Sequence, residues 1–271
     1  MAAALLVLYS PVFVHAVGVW RWNPELSFGF VVVPATIFLV ALRWRALVTS
    51  ERRPSNLGLL PLAVGLVGLL CGVRTGIHAL AALSLLPTVL GAVVYLFGIE
   101  PALRLAVPTA FLTAGLSLYR GLLAPVGFAL QQLTAVLSAG AASVLGFTVH
   151  RSGVDLFTPH VHLVVAESCS GMDSMLALLC LGALFVTLSQ ASLGRRLLLL
   201  GAVVPITVAA NAVRVTAVVV LSEPFGVGIA EGASHQILGA SVFLCASLLF
   251  LLAGLALRCT PSIAATSLSS S

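Results

Sequence analysis

Residues 197–221 read LLLLGAVVPITVAANAVRVTAVVVL, an apolar run interrupted by a single charge, Arg214. About 20 predominantly apolar residues are enough to cross the hydrocarbon core of a bilayer as a helix. A helix is also the form in which such a segment satisfies its own backbone polar groups away from water. Seven more runs of this kind surround it: Ala3–Val19, Phe28–Val48, Leu57–Gly72, Ile77–Phe97, Ala102–Leu118, Met172–Gln190 and Gln236–Leu257. Leu57–Gly72 is the shortest of them. The chain therefore reads as an all-α integral membrane protein with about eight transmembrane helices.

Composition agrees. Of 271 residues, 60% are hydrophobic and 8% charged, against about 25% charged in soluble domains. So few charges cannot clothe a water-facing surface, and lipid must cover most of the outside. The net charge of +5 comes from arginines scattered along the chain, with no lysine. That scatter argues against a nucleic-acid partner. Val14-His15-Ala16 faintly resembles a signal-peptide cleavage site, but no positive residue precedes the run, so it is read as the first membrane helix. One polytopic domain over 1–259 is expected, followed by a Ser- and Ala-rich tail, 260–271, too poor in large apolar residues to fold.

Between Leu118 and Met172 the pattern changes. Residues 131–147 are rich in Ala, Ser and Gly and only moderately apolar, which fits either a helix lying in the interface or a ninth span. Thr148 to Ala166 reads as two short strands, with a turn at Ser152-Gly153 and period-two alternation over His160–Leu163. Arginine placement orients the whole. Arg43, Arg45, Arg52, Arg53, Arg104, Arg195, Arg196 and Arg258 fall on one side of an eight-span plot, which makes it the cytoplasmic side and carries both termini. The segment 120–171 and the loop 222–235 then face outward, from an inner (plasma) membrane.

Three polar features fall at the outward ends of the last three spans: Glu167-Ser168-Cys169-Ser170-Gly171-Met172-Asp173, Asn211-Ala212-Val213-Arg214, and Ser234-His235-Gln236. Of the five cysteines, Cys71, Cys180 and Cys245 lie in apolar runs and behave as small hydrophobes. An odd number excludes complete disulfide pairing, and no metal-type spacing occurs. Cys169 alone occupies a polar turn just before a helix, whose N–H groups and partial positive charge favour a thiolate and suit an oxyanion. Gly171 removes a side chain where a substrate backbone would approach. The alternative is structural: Ser168 or Ser170 caps the helix and Cys169 is incidental. A charge at bilayer depth, such as Arg214, costs at least ~2.5–3.5 kcal/mol and marks function by default, although its position also permits snorkelling. Asn211 shares a helical face with it and is placed to hold the guanidinium. His235 has only its location to recommend it. His160 and His162 would share a strand face, but no third ligand has a recognisable spacing, and neither metal nor cofactor is expected. His15 and His78 read as polar residues at span ends.

The ordered motifs ESCSGMDS, NAVRVT and SHQILG resemble those of the exosortase/archaeosortase family, most strongly over 122–257. That family carries Cys in a CSG motif, Arg in N-x-x-R, and a later His followed by Gly. The matching positions here are Cys169 with Ser170 and Gly171, Arg214 with Asn211, and His235 with Gly239. The resemblance implies a membrane cysteine peptidase–transpeptidase acting on secreted proteins. Its substrates would end in a sorting tail: a short motif such as PEP, a hydrophobic helix and a basic end. The new C-terminus would pass to a cell-surface acceptor. In these terms Cys169 is the nucleophile, Arg214 steadies the oxyanion or thiolate, and His235 is the acid and base. A transporter or lipid-interacting protein, with Arg214, Asn211 and Glu223 lining a solute path, is the alternative; the paired broken helices expected of it are missing. A rhomboid-like serine protease using Ser168 or Ser170 with His235 would lack its G-x-S-x-G pattern.

Overall fold

A computed structural model describes residues 2–23, 26–116, 120–166, 169–226, 228 and 232–260, the side chains at 2, 120–122 and 232–236 excepted. From residue 261 the tail expected to be disordered lies outside the described residues. Contacts divide the chain into two compact units, one over Met1–Leu122 and one over Leu123–Pro261.

The first unit is helical. Its elements are α1 (Ala2–Leu8), α2 (Ser10–Trp22), α3 (Gly29–Leu42), α4 (Trp44–Thr49), a 3-10 turn at Asn56–Gly58, α5 (Leu59–Thr75), α6 (His78–Leu83), α7 (Leu85–Phe97) and α8 (Ile99–Gly115). Three of the expected spans are interrupted, at Tyr9, Arg43 and Ser84. Small residues hold the bundle together, as they do where lipid supplies no hydrophobic drive between helices. Gly58, Gly65 and Gly72 repeat every two turns and face α6 and α7. A β-carbon at Gly65 would meet Thr88 Oγ1 at 2.2 Å, and one at Gly72 the Ala81 nitrogen at 2.5 Å. The buried Tyr9 hydroxyl bridges Ser84 Oγ (2.9 Å) and Thr88 Oγ1 (2.7 Å), which closes the break in both helices with hydrogen bonds. His15 and His78, far apart in sequence, stack with ring centroids 3.6 Å apart.

The second unit contains α9 (Arg120–Val144, begun in the first unit), β1 (His150–Ser152), β2 (Asp155–Phe157), β3 (His162–Val164), α10 (Met172–Leu188), α11 (Leu193–Phe225) and α12 (Gly232–Ala256). Contacts along the helices give their directions. α10 opposes α11, since Gly171 meets Asn211 and Gly182 meets Leu200. α12 also opposes α11, with Gly239 on Arg214 and Gly254 on Leu199. α9 runs with α11: Thr134 bonds Asn211, Ser138 bonds Ala212, and Ala142 shares an apolar cluster with Val215, Val218 and Val219. At 33 residues α11 is roughly 50 Å long, well beyond a ~30 Å hydrocarbon core. Val215, Val218 and Val219, in its last third, are buried in a cluster with α9 and the sheet.

Among the described residues, five helices are long and apolar enough to cross a membrane: Asn56–Thr75, His78–Phe97, Leu123–Val144, Leu193–Phe225 and Ile237–Ala256. Four coincide with expected spans. The other, Leu123–Val144, occupies the segment for which an interfacial helix and a ninth span were both open. Gly29–Leu42 and Met172–Leu188 are shorter apolar helices. Among the described residues three strands are present rather than two, in antiparallel order β1-β2-β3. Gly153, at φ +63°, makes the first turn as expected. The second turn is Thr158–Val161, where the Thr158 N–H donates to Val161 O at 2.9 Å around Pro159. His160 therefore sits in that turn and shares no strand face with His162, which corrects the expected pair.

Candidate functional site

β3 leads the chain into the site. The Val165 N–H still donates to Val154 O at 3.0 Å, while the Val165 carbonyl accepts from the Gln131 side-chain amide of α9. The Cys169 N–H then donates to Ala166 O at 2.9 Å and closes a turn. Glu167 and Ser168 lie outside the described residues. Gly171, at φ +82°, ends the turn as the N-cap of α10. A β-carbon there would stand 2.9 Å from Asn211 Cγ, so a side chain is excluded both by conformation and by space. The room that the sequence suggested for a substrate backbone is thus taken by Asn211. Ser170 is buried, and its Oγ accepts from the Met172 N–H at 3.3 Å, so it serves the helix start.

Cys169 is half-buried and packs against the apolar cluster of Leu156, Val161, Leu163 and Val165. Its carbonyl accepts from Asn211 Nδ2 at 2.7 Å, and the same nitrogen donates to Thr134 Oγ1 at 3.0 Å. A carbonyl can only accept, which fixes the amide nitrogen toward Cys169. Asn211 was expected to hold the Arg214 guanidinium; its amide nitrogen ties the cysteine turn to α9 and α11.

Arg214 follows one turn later on α11 and is only 6% exposed. Gly239 of α12 lets the two helices close around it, since a β-carbon there would be 3.2 Å from Nη2 and 3.3 Å from Cζ. Position 235 lies one turn before Gly239 on α12 and on the same helical face. The side chain of His235 is outside the described residues. Asp173, in the first turn of α10, is as buried as Arg214.

These groups form a polar belt inside an apolar bundle. Thr134, Ser138, Ser170, Asp173, Thr207, Asn211, Arg214 and Thr216 are all buried in the second unit. On one side lies the cluster under the sheet, on the other that of Leu178, Leu199, Val203, Ala246 and Phe250. A crevice of about 290 Å3, counted with its open part, runs from Arg214, Asn211 and Gly239 along Ser174, Thr207, Val242 and Phe243. Glu223 is elsewhere: it lies nine residues, about 14 Å, further along α11 and accepts from Thr158 Oγ1 at 2.5 Å. Among the described residues no cluster of three or more His, Cys, Asp or Glu gathers as a metal site.

The polar residues outside the motifs, Gln131 and Thr134, were not singled out in the sequence. Their signal was local: two hydrogen-bonding side chains three residues apart on one face of a largely apolar helix.

The family model described as Transmembrane exosortase (Exosortase_EpsH) matches residues 20–252. No curated protein and no solved structure matches the chain. The family match spans both units and includes all three motif segments, in a multi-pass helical chain with the buried polar belt just described. The chain belongs to the transmembrane exosortase family.

Proposed function

We propose that this exosortase-family protein is a membrane cysteine peptidase–transpeptidase that removes the C-terminal sorting tail of secreted proteins. The carrying observation is the cysteine turn: Cys169 is held through its carbonyl by buried Asn211, one helical turn from buried Arg214. Cys169 Sγ attacks the scissile carbonyl, and the oxyanion that develops is stabilised by the Arg214 guanidinium. The C–N bond breaks as His235 gives a proton to the leaving amine, and a thioester remains on Cys169. An acceptor nucleophile, deprotonated by His235, then takes the acyl group and returns the thiol. Water in the same place gives hydrolysis.

Sidedness supports the reading. Arg195 and Arg196 begin α11 and Arg258 follows α12, all at the end of the second unit opposite Cys169. By the positive-inside rule that end is cytoplasmic and the site faces outward, where secreted substrates are. The partner is a secreted protein with a motif, a hydrophobic helix and a basic tail, approached from within the lipid. The test is a processing time course on such a substrate in membranes. Cys169→Ala and Cys169→Ser are expected to insert normally and to process nothing, while Ala at Cys71, Cys180, Cys245 or Cys259 leaves processing intact. Processing by Cys169→Ala would end this reading.

A further inference from the structure

We infer that Gln131 and Thr134 of α9 are positioning residues that hold the cysteine turn at both ends. This rests on the reading of Cys169 as nucleophile. The carbonyls of Val165 and Cys169, at either end of the turn, are each satisfied by a side chain rather than by a neighbouring strand. Gln131 takes the first end, donating to the Val165 carbonyl. Thr134 takes the last end through Asn211, whose single amide nitrogen reaches both Thr134 Oγ1 and the Cys169 carbonyl.

Three residues separate the two side chains, so both project from one face of α9, about 4.5 Å apart along its axis. Thr134 is 1% exposed and Asn211 4% exposed. The Cys169 carbonyl, which only accepts, fixes which way the Asn211 amide points. The Thr134 hydroxyl takes the second hydrogen of the same nitrogen and holds the amide in place. At that burial an amide hydrogen left without its acceptor is costly, so loss of the hydroxyl favours a shift of Asn211 and of the Cys169 carbonyl bound to it. Neither α9 residue needs to touch substrate for this. Their effect falls on the attack geometry of the sulfur, to which rates are far more sensitive than binding is.

Ser138 supplies the control. It lies one turn beyond Thr134, equally buried, and its Oγ donates to Ala212 O at 3.1 Å. It joins the same two helices but does not reach the cysteine turn.

The experiment compares Thr134→Val, Thr134→Ser, Gln131→Met and Ser138→Ala in full-length protein, in membranes, at matched levels. Processing of a tailed substrate is resolved into kcat and KM. In parallel, a background with Ala at the other four cysteines reports the rate at which a small maleimide labels Cys169, a readout independent of any catalysis. Thr134→Val and Gln131→Met are expected to lower kcat about tenfold to a hundredfold with little change in KM. Both are expected to change the labelling rate of Cys169, and Thr134→Ser to recover most of kcat. Ser138→Ala is expected to leave both readouts near wild type. Equal losses in Ser138→Ala and Thr134→Val would assign α9 a packing role only and overturn the inference. Unchanged kcat in both Thr134→Val and Gln131→Met would overturn it as well. Retained processing in Cys169→Ala, by contrast, would remove the nucleophile reading itself, and the labelling rates would still report whether the turn is held.

Discussion

At the scale of single residues, Arg214 and Gly171 are the sharpest tests. A merely snorkelling arginine is replaceable by lysine, which has a similar stem and charge. A guanidinium that offers a planar fork to an oxyanion is not. Arg214→Lys is therefore expected to insert at normal levels yet lose about a hundredfold in kcat, the scale of one oxyanion donor; near-wild-type processing would mean that position 214 only carries a charge. Gly171→Ala is expected to reduce activity and stability together, because alanine opposes φ +82° and its β-carbon would press on Asn211. The loss should exceed the ~1 kcal/mol by which a glycine-to-alanine change stabilises a compatible site, read as a fall in thermal midpoint of the detergent-solubilised protein. The segments proposed for this site were legible in the sequence, because CSG, N-x-x-R and the later histidine are local patterns. The role of Asn211 was not. Its spacing to Arg214 is visible along one helix, whereas its hydrogen bond to Cys169 joins residues 42 apart and follows only from how α10 and α11 pack.

At the scale of elements, α9 departs furthest from expectation. Its Ala, Ser and Gly content lowered its hydropathy to a level shared by interfacial helices, but those small residues are what let it pack against α11, with Ala135, Ala142, Thr134 and Ser138 all buried. If α9 crosses the membrane, its two ends face opposite sides. Reporters inserted after Leu116 and after Gly146 are then expected in different compartments, and the same signal from both would lay α9 in the interface. The third strand was missed because Pro159 makes a turn where the alternation around His160 suggested a continuing strand. Helix breaks at Tyr9 and Ser84 were likewise missed in apolar runs, although a proline, Pro11 or Pro87, stands in the first turn of the helix after each. There the hydroxyls do the joining. Tyr9→Phe leaves Ser84 and Thr88 without their partner and is expected to cost about 1–2 kcal/mol, measured as lowered thermal stability with the processing rate per folded molecule unchanged.

At the scale of the whole molecule, the chain is a multi-pass member of the transmembrane exosortase family, and what distinguishes its second unit is a polar belt enclosed by two apolar clusters. Its multi-pass membrane character was legible because hydropathy is summed over long windows, which tolerate local errors. The number of spans was not, since a helix such as Leu123–Val144 sits near the boundary where composition alone stops deciding. The account stands or falls on covalent chemistry at Cys169. The direct measurement is to mix solubilised enzyme with a tailed substrate, quench in acid, and map the acyl adduct by mass spectrometry. A thioester on the peptide containing Cys169, released by hydroxylamine and absent from Cys169→Ala, is the predicted result. An adduct on another residue, or substrate cleaved at the wild-type rate by Cys169→Ala, would contradict it.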